Sequence, residues 1–202
     1  TVVSIASAPL FAALLERLFN QKMISLQWWV SFLLGAIGIV LLALGKVTAA
    51  GEMPVQNWGI VLGLMAGLTY AGYSWVTKQL INSGVHSKSS VAGLFGCAAV
   101  VLLPSLYFTG DNLFATSINL SVSLYMALVP MFLGYLLFGL GLRVIEASQA
   151  TLITLIEPII ATLLAVWLLS EEFKAIGWLG MALVAICLVL QSIKLKSTKL
   201  VM

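Results

Sequence analysis

Residues 148–169 read SQATLITLIEPIIATLLAVWLL, and this stretch decides the fold. It carries a single charged side chain, Glu157, followed directly by Pro158. About 20 apolar residues in an α-helix cross the ~30 Å hydrocarbon core of a bilayer. The stretch therefore predicts a membrane-spanning helix with an acid and a proline near its middle.

Similar apolar runs continue on both sides of this stretch. Of the 202 residues, 61% are hydrophobic and 8% are charged, against about 25% charged residues in soluble domains. A soluble fold of this size could not cover so much apolar surface. We predict an all-α, polytopic membrane helix bundle with spans at 2–19, 27–45, 57–77, 89–109, 119–142, 148–169 and 176–193.

The polar residues exclude several classes of protein. A net charge of +3 is too small for a nucleic-acid binder. Cys97 and Cys187 lie inside apolar runs, and His86 stands alone in a polar connector, so no metal site, disulfide framework or cofactor is indicated. A membrane-embedded enzyme would need clustered catalytic side chains at membrane depth, which these spans lack.

The connectors predict the orientation in the membrane, because cytoplasmic loops are enriched in Lys and Arg. One side holds eight basic residues and the other holds two, Lys46 and Lys174. We therefore expect an inner-membrane protein with a cytoplasmic C-terminus. The eight cytoplasmic residues are Arg17, Lys22, Lys78, Lys88, Arg143, Lys194, Lys196 and Lys199.

The chain contains an internal repeat. Residues 8–15, APLFAALL, resemble residues 157–164, EPIIATLL, and Trp29 matches Trp178 in the next span. The matched spans are five helices apart, so they cross the membrane in opposite senses, as in the inverted repeats of many secondary transporters. The repeat predicts the end of a first unit at 1–45, a linker at 46–56, a complete second unit at 57–193 and a basic tail at 194–202. On this arithmetic three further helices precede Thr1, and this stretch alone is expected not to transport.

The second unit resembles a known family. The order Glu157-Pro158, Leu168-Leu169-Ser170-Glu171 and Trp178-Leu179-Gly180 is similar to the end of an EamA domain, of the ten-helix drug/metabolite transporter superfamily. Ser170 stands where glycine is usual, and Lys22 replaces the turn acid in the first unit. The resemblance implies an exporter of amino acids or related metabolites.

Glu157 is the first candidate functional residue. It lies nine residues after Ser148, about 14 Å along a helix, near the middle of the membrane. An ionised carboxylate there is costly and by default marks a pathway or proton site. One interpretation is proton coupling or binding of an ammonium group; the alternative is a protonated acid or a polar anchor for the Pro158 break.

The two prolines are the second candidate feature. Pro9 and Pro158 occupy corresponding positions, and each removes a backbone donor from its helix. Interrupted helices in corresponding positions indicate a central binding site, whereas the alternative is a simple kink. Ser7 and Thr154 lie beside the breaks and could satisfy freed carbonyls or contact substrate. Pro130 predicts a further break.

Tyrosines and glycines complete the candidate set. Tyr70, Tyr125 and Tyr135 could line a cavity with hydrogen-bonding groups, although aromatic residues also favour the membrane interface. Gly59, Gly63 and Gly67 recur every four residues, a pattern typical of close helix packing.

These features together favour a secondary transporter of a small molecule. Its site would lie between the repeats near the membrane midplane, with protons as a candidate coupling ion and a homodimer left open. A membrane-embedded receptor or a structural bundle without transport is the alternative. The mid-membrane acid and the paired prolines favour transport.

Overall fold

The computed structural model of the chain describes residues 2–45, 57–110, 113, 115–169 and 173–193. The predicted linker 46–56 and basic tail 194–202 lie outside these residues, as do Asp111 and the segment 170–172. Three of the basic residues behind the predicted orientation belong to that tail.

The predicted all-α polytopic fold is confirmed. Seven stretches of the described chain are helical, long and apolar enough to cross a membrane, and they overlap the seven predicted spans. The elements are α1 (Val2–Asn20), α2 (Leu26–Gly45), α3 (Asn57–Asn82), α4 (Ser87–Thr109), α5 (Ser117–Met126), a π-helical segment (Ala127–Gly134), α6 (Tyr135–Gly141), α7 (Ala147–Ile153), α8 (Ile156–Leu169) and α9 (Ala175–Ser192).

Two of the predicted spans are not regular α-helices. The span predicted at 119–142 consists of α5, the π-helical segment and α6, and Pro130 lies inside the π-helical part. A proline lacks the amide that a regular α-helical ladder needs, so a locally changed hydrogen-bond pattern is expected there. The span predicted at 148–169 is divided into α7 and α8.

The helices group into two compact units. The first contains α1, α2, the part of α3 up to Gly72, and α7 to α9; the second runs from Tyr73 to Glu146. These units cut across the predicted division between 45 and 57, because α7 to α9 pack against α1 and α2.

Helices α2 and α9 form the most extensive contact of the first unit. A Cβ atom added to Gly38 would lie 2.8 Å from the carbonyl oxygen of Gly180, and one added to Gly45 would overlap the Cα atom of Gly177. Small residues let two helix backbones approach this closely inside a membrane. Residues late in α2 meet residues early in α9, so the two helices run antiparallel.

Each of these helices also caps an end of the other. The side-chain amide of Gln27, at the start of α2, donates to the carbonyls of Leu190 and Ile193 at the end of α9. The backbone amide of Lys174 donates to the carbonyl of Gly45 at 3.0 Å. Carbonyls in a last helical turn have no intrahelical donor, so these bonds fix both ends of the pair.

Candidate functional site

The break between α7 and α8 has a defined hydrogen-bond pattern. The Leu155 amide donates to the carbonyl of Leu152 at 3.2 Å, instead of to that of Thr151 four residues earlier. The hydroxyl of Thr154 donates to the Thr151 carbonyl at 2.8 Å and replaces the missing backbone donor. Thr154 thus satisfies a backbone carbonyl, one of the two roles that the sequence left open for it.

The positions of Pro158 and Glu157 explain why the helix can restart here. Pro158 is the third residue of α8, where backbone amides have no intrahelical acceptor, so its missing donor costs the helix nothing. Glu157 lies in the first turn of α8, and its amide donates to the Thr154 carbonyl at 3.0 Å. An acidic side chain in a first turn also interacts favourably with the helix dipole.

The side chain of Glu157 is exposed in the described part of the chain. Its neighbours in α8 differ, since Leu155 just before the helix is 1% exposed and Thr162 is 3% exposed. The packing of the first unit therefore uses another face of this segment and leaves the carboxyl group accessible. That position suits a group that exchanges protons or binds a cation.

The predicted interruption at Pro9 is wrong. Helix α1 continues through Pro9 from Val2 to Asn20, and Pro9 is fully buried. The ring removes only one amide donor, so a single backbone bond is lost and the helix is not interrupted. The Ser7 hydroxyl donates to the Ser4 carbonyl at 3.3 Å, again a bond to the backbone.

The three small-residue positions of α3 have different surroundings. A Cβ atom on Gly67 would overlap the Ser7 hydroxyl oxygen, and one on Gly63 would lie 3.3 Å from the Cβ atom of Val3. These two glycines therefore lie against α1. Nothing lies within 4 Å of a Cβ atom on Gly59, so the structure does not support a packing role there.

The candidate tyrosines also differ from one another. Tyr135 belongs to an aromatic cluster, defined here as Tyr73, Phe95, Tyr135 and Phe138, with ring centroids 4.8 to 6.4 Å apart. Tyr70 is half-buried in the first unit, and Tyr125 is 61% exposed. Lining of a cavity stays a prediction for all three.

A cleft of about 210 Å³ borders the aromatic cluster in the second unit. The π-helical segment forms one wall of it, and every lining side chain is apolar. Ligand sites usually add a few convergent polar groups that orient the ligand, and this cleft has no such group in its lining. Its lining residues are Val91, Ala92, Phe95, Ala127, Met131, Phe132 and Leu136.

The sequence prediction missed a buried polar cluster in the first unit, formed by Glu16, Trp28 and Ser148. The Glu16 carboxylate is 4% exposed and accepts hydrogen bonds from the amide of Ser148 at 2.9 Å and from its hydroxyl at 2.6 Å. The indole nitrogen of Trp28 donates to the Ser148 carbonyl at 3.2 Å. All three polar groups of Ser148 are therefore engaged by α1 and α2.

A sequence signal for Glu16 existed. The buried residues of α1 are Ala8, Pro9, Ala12, Ala13 and Glu16, a stripe at helical spacing in which only Glu16 is not small and apolar. An acid on such a stripe must face a neighbouring helix. The tryptophans near the span ends differ in burial: Trp28 is 3% exposed, whereas Trp29, Trp58 and Trp178 are exposed.

Lys78 is also buried, although the sequence analysis placed it in a loop. Helix α3 extends to Asn82, so Lys78 lies within it and is 6% exposed. Its ammonium group donates to the Leu142 carbonyl at 2.8 Å, just after the end of α6. A cation at that position complements the negative end of the helix dipole.

Comparison with known proteins identifies the family of the chain. The EamA-like transporter family matches residues 57–193. The chain belongs to this family. Over the part of the chain that the structure describes, no group of three or more His, Cys, Asp or Glu side chains could hold a metal ion.

The relatives of this EamA-like chain carry transporter names. The uncharacterized transporter YwfM of Bacillus subtilis (strain 168) is 31% identical over 192 residues, which cover 95% of this chain and 63% of the relative. The uncharacterized inner membrane transporter YedA of Escherichia coli (strain K12) is 27% identical over 191 residues, or 93% of this chain and 60% of the relative. The chain thus spans about three fifths of the length of these relatives.

Proposed function

We propose that the protein is a secondary active exporter of small metabolites such as amino acids or amines. It works by alternating access at a site between two inverted repeats near the membrane midplane. It lies in the inner membrane with its C-terminus in the cytoplasm, as the Lys and Arg distribution predicts.

One observation carries this proposal: the helix is interrupted between Ile153 and Ile156, and an accessible carboxyl group follows directly at Glu157. Discontinuous membrane helices form the substrate and ion sites of many secondary transporters. An ionisable residue at this depth in a span is functional by default. The antiparallel packing of α2 and α9 supports the inverted repeat, because these helices are the last of each predicted unit.

Within this site Glu157 carries the coupled proton or binds the ammonium group of the substrate. Pro158 and Thr154 keep the break in place without leaving a backbone carbonyl unpaired. Ser7 and Pro9, Tyr70, Tyr125 and Tyr135 are the further candidates for lining the pathway.

Reconstitution in liposomes tests the proposal. The complete protein is assayed with a panel of radiolabelled L-amino acids and primary amines, with and without an imposed pH gradient. We expect gradient-driven flux of at least one compound, reduced in Glu157→Gln to the level of empty liposomes and partly kept in Glu157→Asp.

The matched control is Glu171→Gln, which removes a carboxylate that the sequence places in a loop and which should retain wild-type flux. Absence of flux for every compound would contradict the transport proposal. Full gradient-driven flux in Glu157→Gln would contradict the role of Glu157 while leaving transport in place.

A further inference from the structure

We propose that Glu16 is a positioning residue for transport: it holds α7 in register and thereby sets the place of the helix break and of Glu157. The inference rests on the proposed function, because Glu157 is the group whose position matters. The argument starts from the polar cluster of Glu16, Trp28 and Ser148.

Both oxygens of the Glu16 carboxylate accept hydrogen bonds from the same residue, Ser148. Oε1 accepts the bond from the Ser148 amide, and Oε2 accepts the bond from the Ser148 hydroxyl. Two bonds to one residue fix the rotation of α7 as well as its distance from α1.

A second helix holds the same residue from its carbonyl side. Trp28 of α2 donates to that carbonyl, and its ring stacks on Phe32 with centroids 5.3 Å apart and planes at 3°. The indole is therefore itself fixed, and Ser148 is held between α1 and α2. The Thr151 hydroxyl, one turn later, donates to the carbonyls of Ala147 and Ser148 and continues the buried network into α7.

This anchoring matters because α7 cannot hold its own register. It has seven residues, and isolated helices shorter than about 12 residues are unstable. A shift of one residue would turn each side chain by about 100° around the helix axis. Leu155 would then leave the core, and Glu157 would point in a different direction.

The expected effect is a change in substrate affinity. Glu16→Ala removes both hydrogen bonds to Ser148 and should lower the fraction of protein with α7 in register about tenfold. The apparent affinity for substrate then falls by the same factor, because only that fraction binds substrate. Saturating substrate draws the protein back into register and restores the rate. We therefore expect KM to rise about tenfold with Vmax per folded transporter nearly unchanged. A role in stability alone would lower the amount of folded protein and leave KM as it is.

The experiment uses the complete protein in liposomes and the labelled amino acid or amine with the largest wild-type flux. Variants are Glu16→Ala, Glu16→Gln and Ser148→Ala; Gly38→Ala, which strains the α2–α9 contact, is the matched control for lost stability. The two milder variants keep the bond to the Ser148 amide, so they cover the case in which Glu16→Ala does not fold. They should raise KM less, with effects that do not add in the double variant.

Hydrogen exchange of residues 147–157 supplies a readout that needs no substrate. Faster exchange there in the Glu16 variants, together with a raised KM, supports the proposal. A wild-type KM in folded Glu16→Ala and Glu16→Gln, or unchanged exchange of this segment, overturns it even if the wild type transports. Absence of any wild-type flux contradicts the proposed function, and with it this inference.

Discussion

Two acidic residues within the membrane spans, Glu157 and Glu16, have different surroundings. Glu157 stands at a restart of a helix and is exposed, whereas Glu16 is buried against the amide and hydroxyl of Ser148. Depth along a span identifies the first from the chain alone. The stripe of small residues in α1 indicates that Glu16 faces a neighbouring helix, but only the structure identifies its partner, because Ser148 is far away in sequence.

Trp28 allows a prediction for a single residue. Trp28→Phe keeps a large ring for stacking on Phe32 but removes the donor to the buried Ser148 carbonyl. The Ser148 carbonyl keeps the Thr151 hydroxyl as a donor, so the loss is that of one hydrogen bond, about 0.5–1.5 kcal/mol, and the melting temperature of the purified protein in detergent should fall modestly. Trp29→Phe, at a position 36% exposed, is the control and should melt close to the wild type. Equal melting temperatures for the two variants would contradict the role of the indole bond.

At the level of elements, helix pairs rather than single helices carry the stability of the first unit. The ends of α2 and α9 share hydrogen bonds, and the middle of the pair is packed through glycines. The packing of α1 against α3 uses Gly63 and Gly67 in the same way. Helix α7, by contrast, depends on contacts made by its neighbours.

Glycine substitutions separate packed from open positions. Gly38→Ala would place a methyl group 2.7 Å from a methyl carbon of Val184, and overpacking of this kind typically costs about 1–3 kcal/mol. Gly59→Ala meets nothing within 4 Å and should stabilise α3 by about 0.5–1 kcal/mol, because alanine loses less backbone entropy in a helix. Thermal unfolding of both variants measures the difference. A Gly38→Ala protein as stable as the wild type would mean that the α2–α9 contact is looser than the structure shows.

At the level of the whole molecule, family and fold agree. The described residues contain seven helical stretches of membrane length, and the EamA-like transporter family matches residues 57–193, so the chain is a multi-pass membrane member of that family. The chain covers 60% of YedA and 63% of YwfM, so the transport activity of the whole protein stays a proposal.

The orientation of the protein in the membrane can be tested by labelling its connectors. Lys88 and Lys174 are both exposed and lie on opposite sides by the Lys and Arg distribution. With Cys97 and Cys187 replaced by alanine, a membrane-impermeant maleimide applied to intact cells should label Lys174→Cys but not Lys88→Cys. Lys88→Cys should react only after the cells are permeabilised. The reverse labelling pattern would contradict a cytoplasmic C-terminus.

The chain by itself determined the number of spans, their approximate limits and the break near Pro158. These properties depend on local causes, namely the length of apolar runs and the missing amide of proline. The same reasoning was wrong for Pro9, because the surrounding packing decides whether one lost backbone bond interrupts a helix.

Only the tertiary structure decided which polar groups are paired. Glu16 and Ser148 are 132 residues apart, and Gln27 and Leu190 are 163 residues apart. No local pattern encodes such partners, since they depend on which helices become neighbours after folding. The spans of this protein are therefore determined by residues close together in sequence, and the buried network behind its candidate site by residues that are far apart.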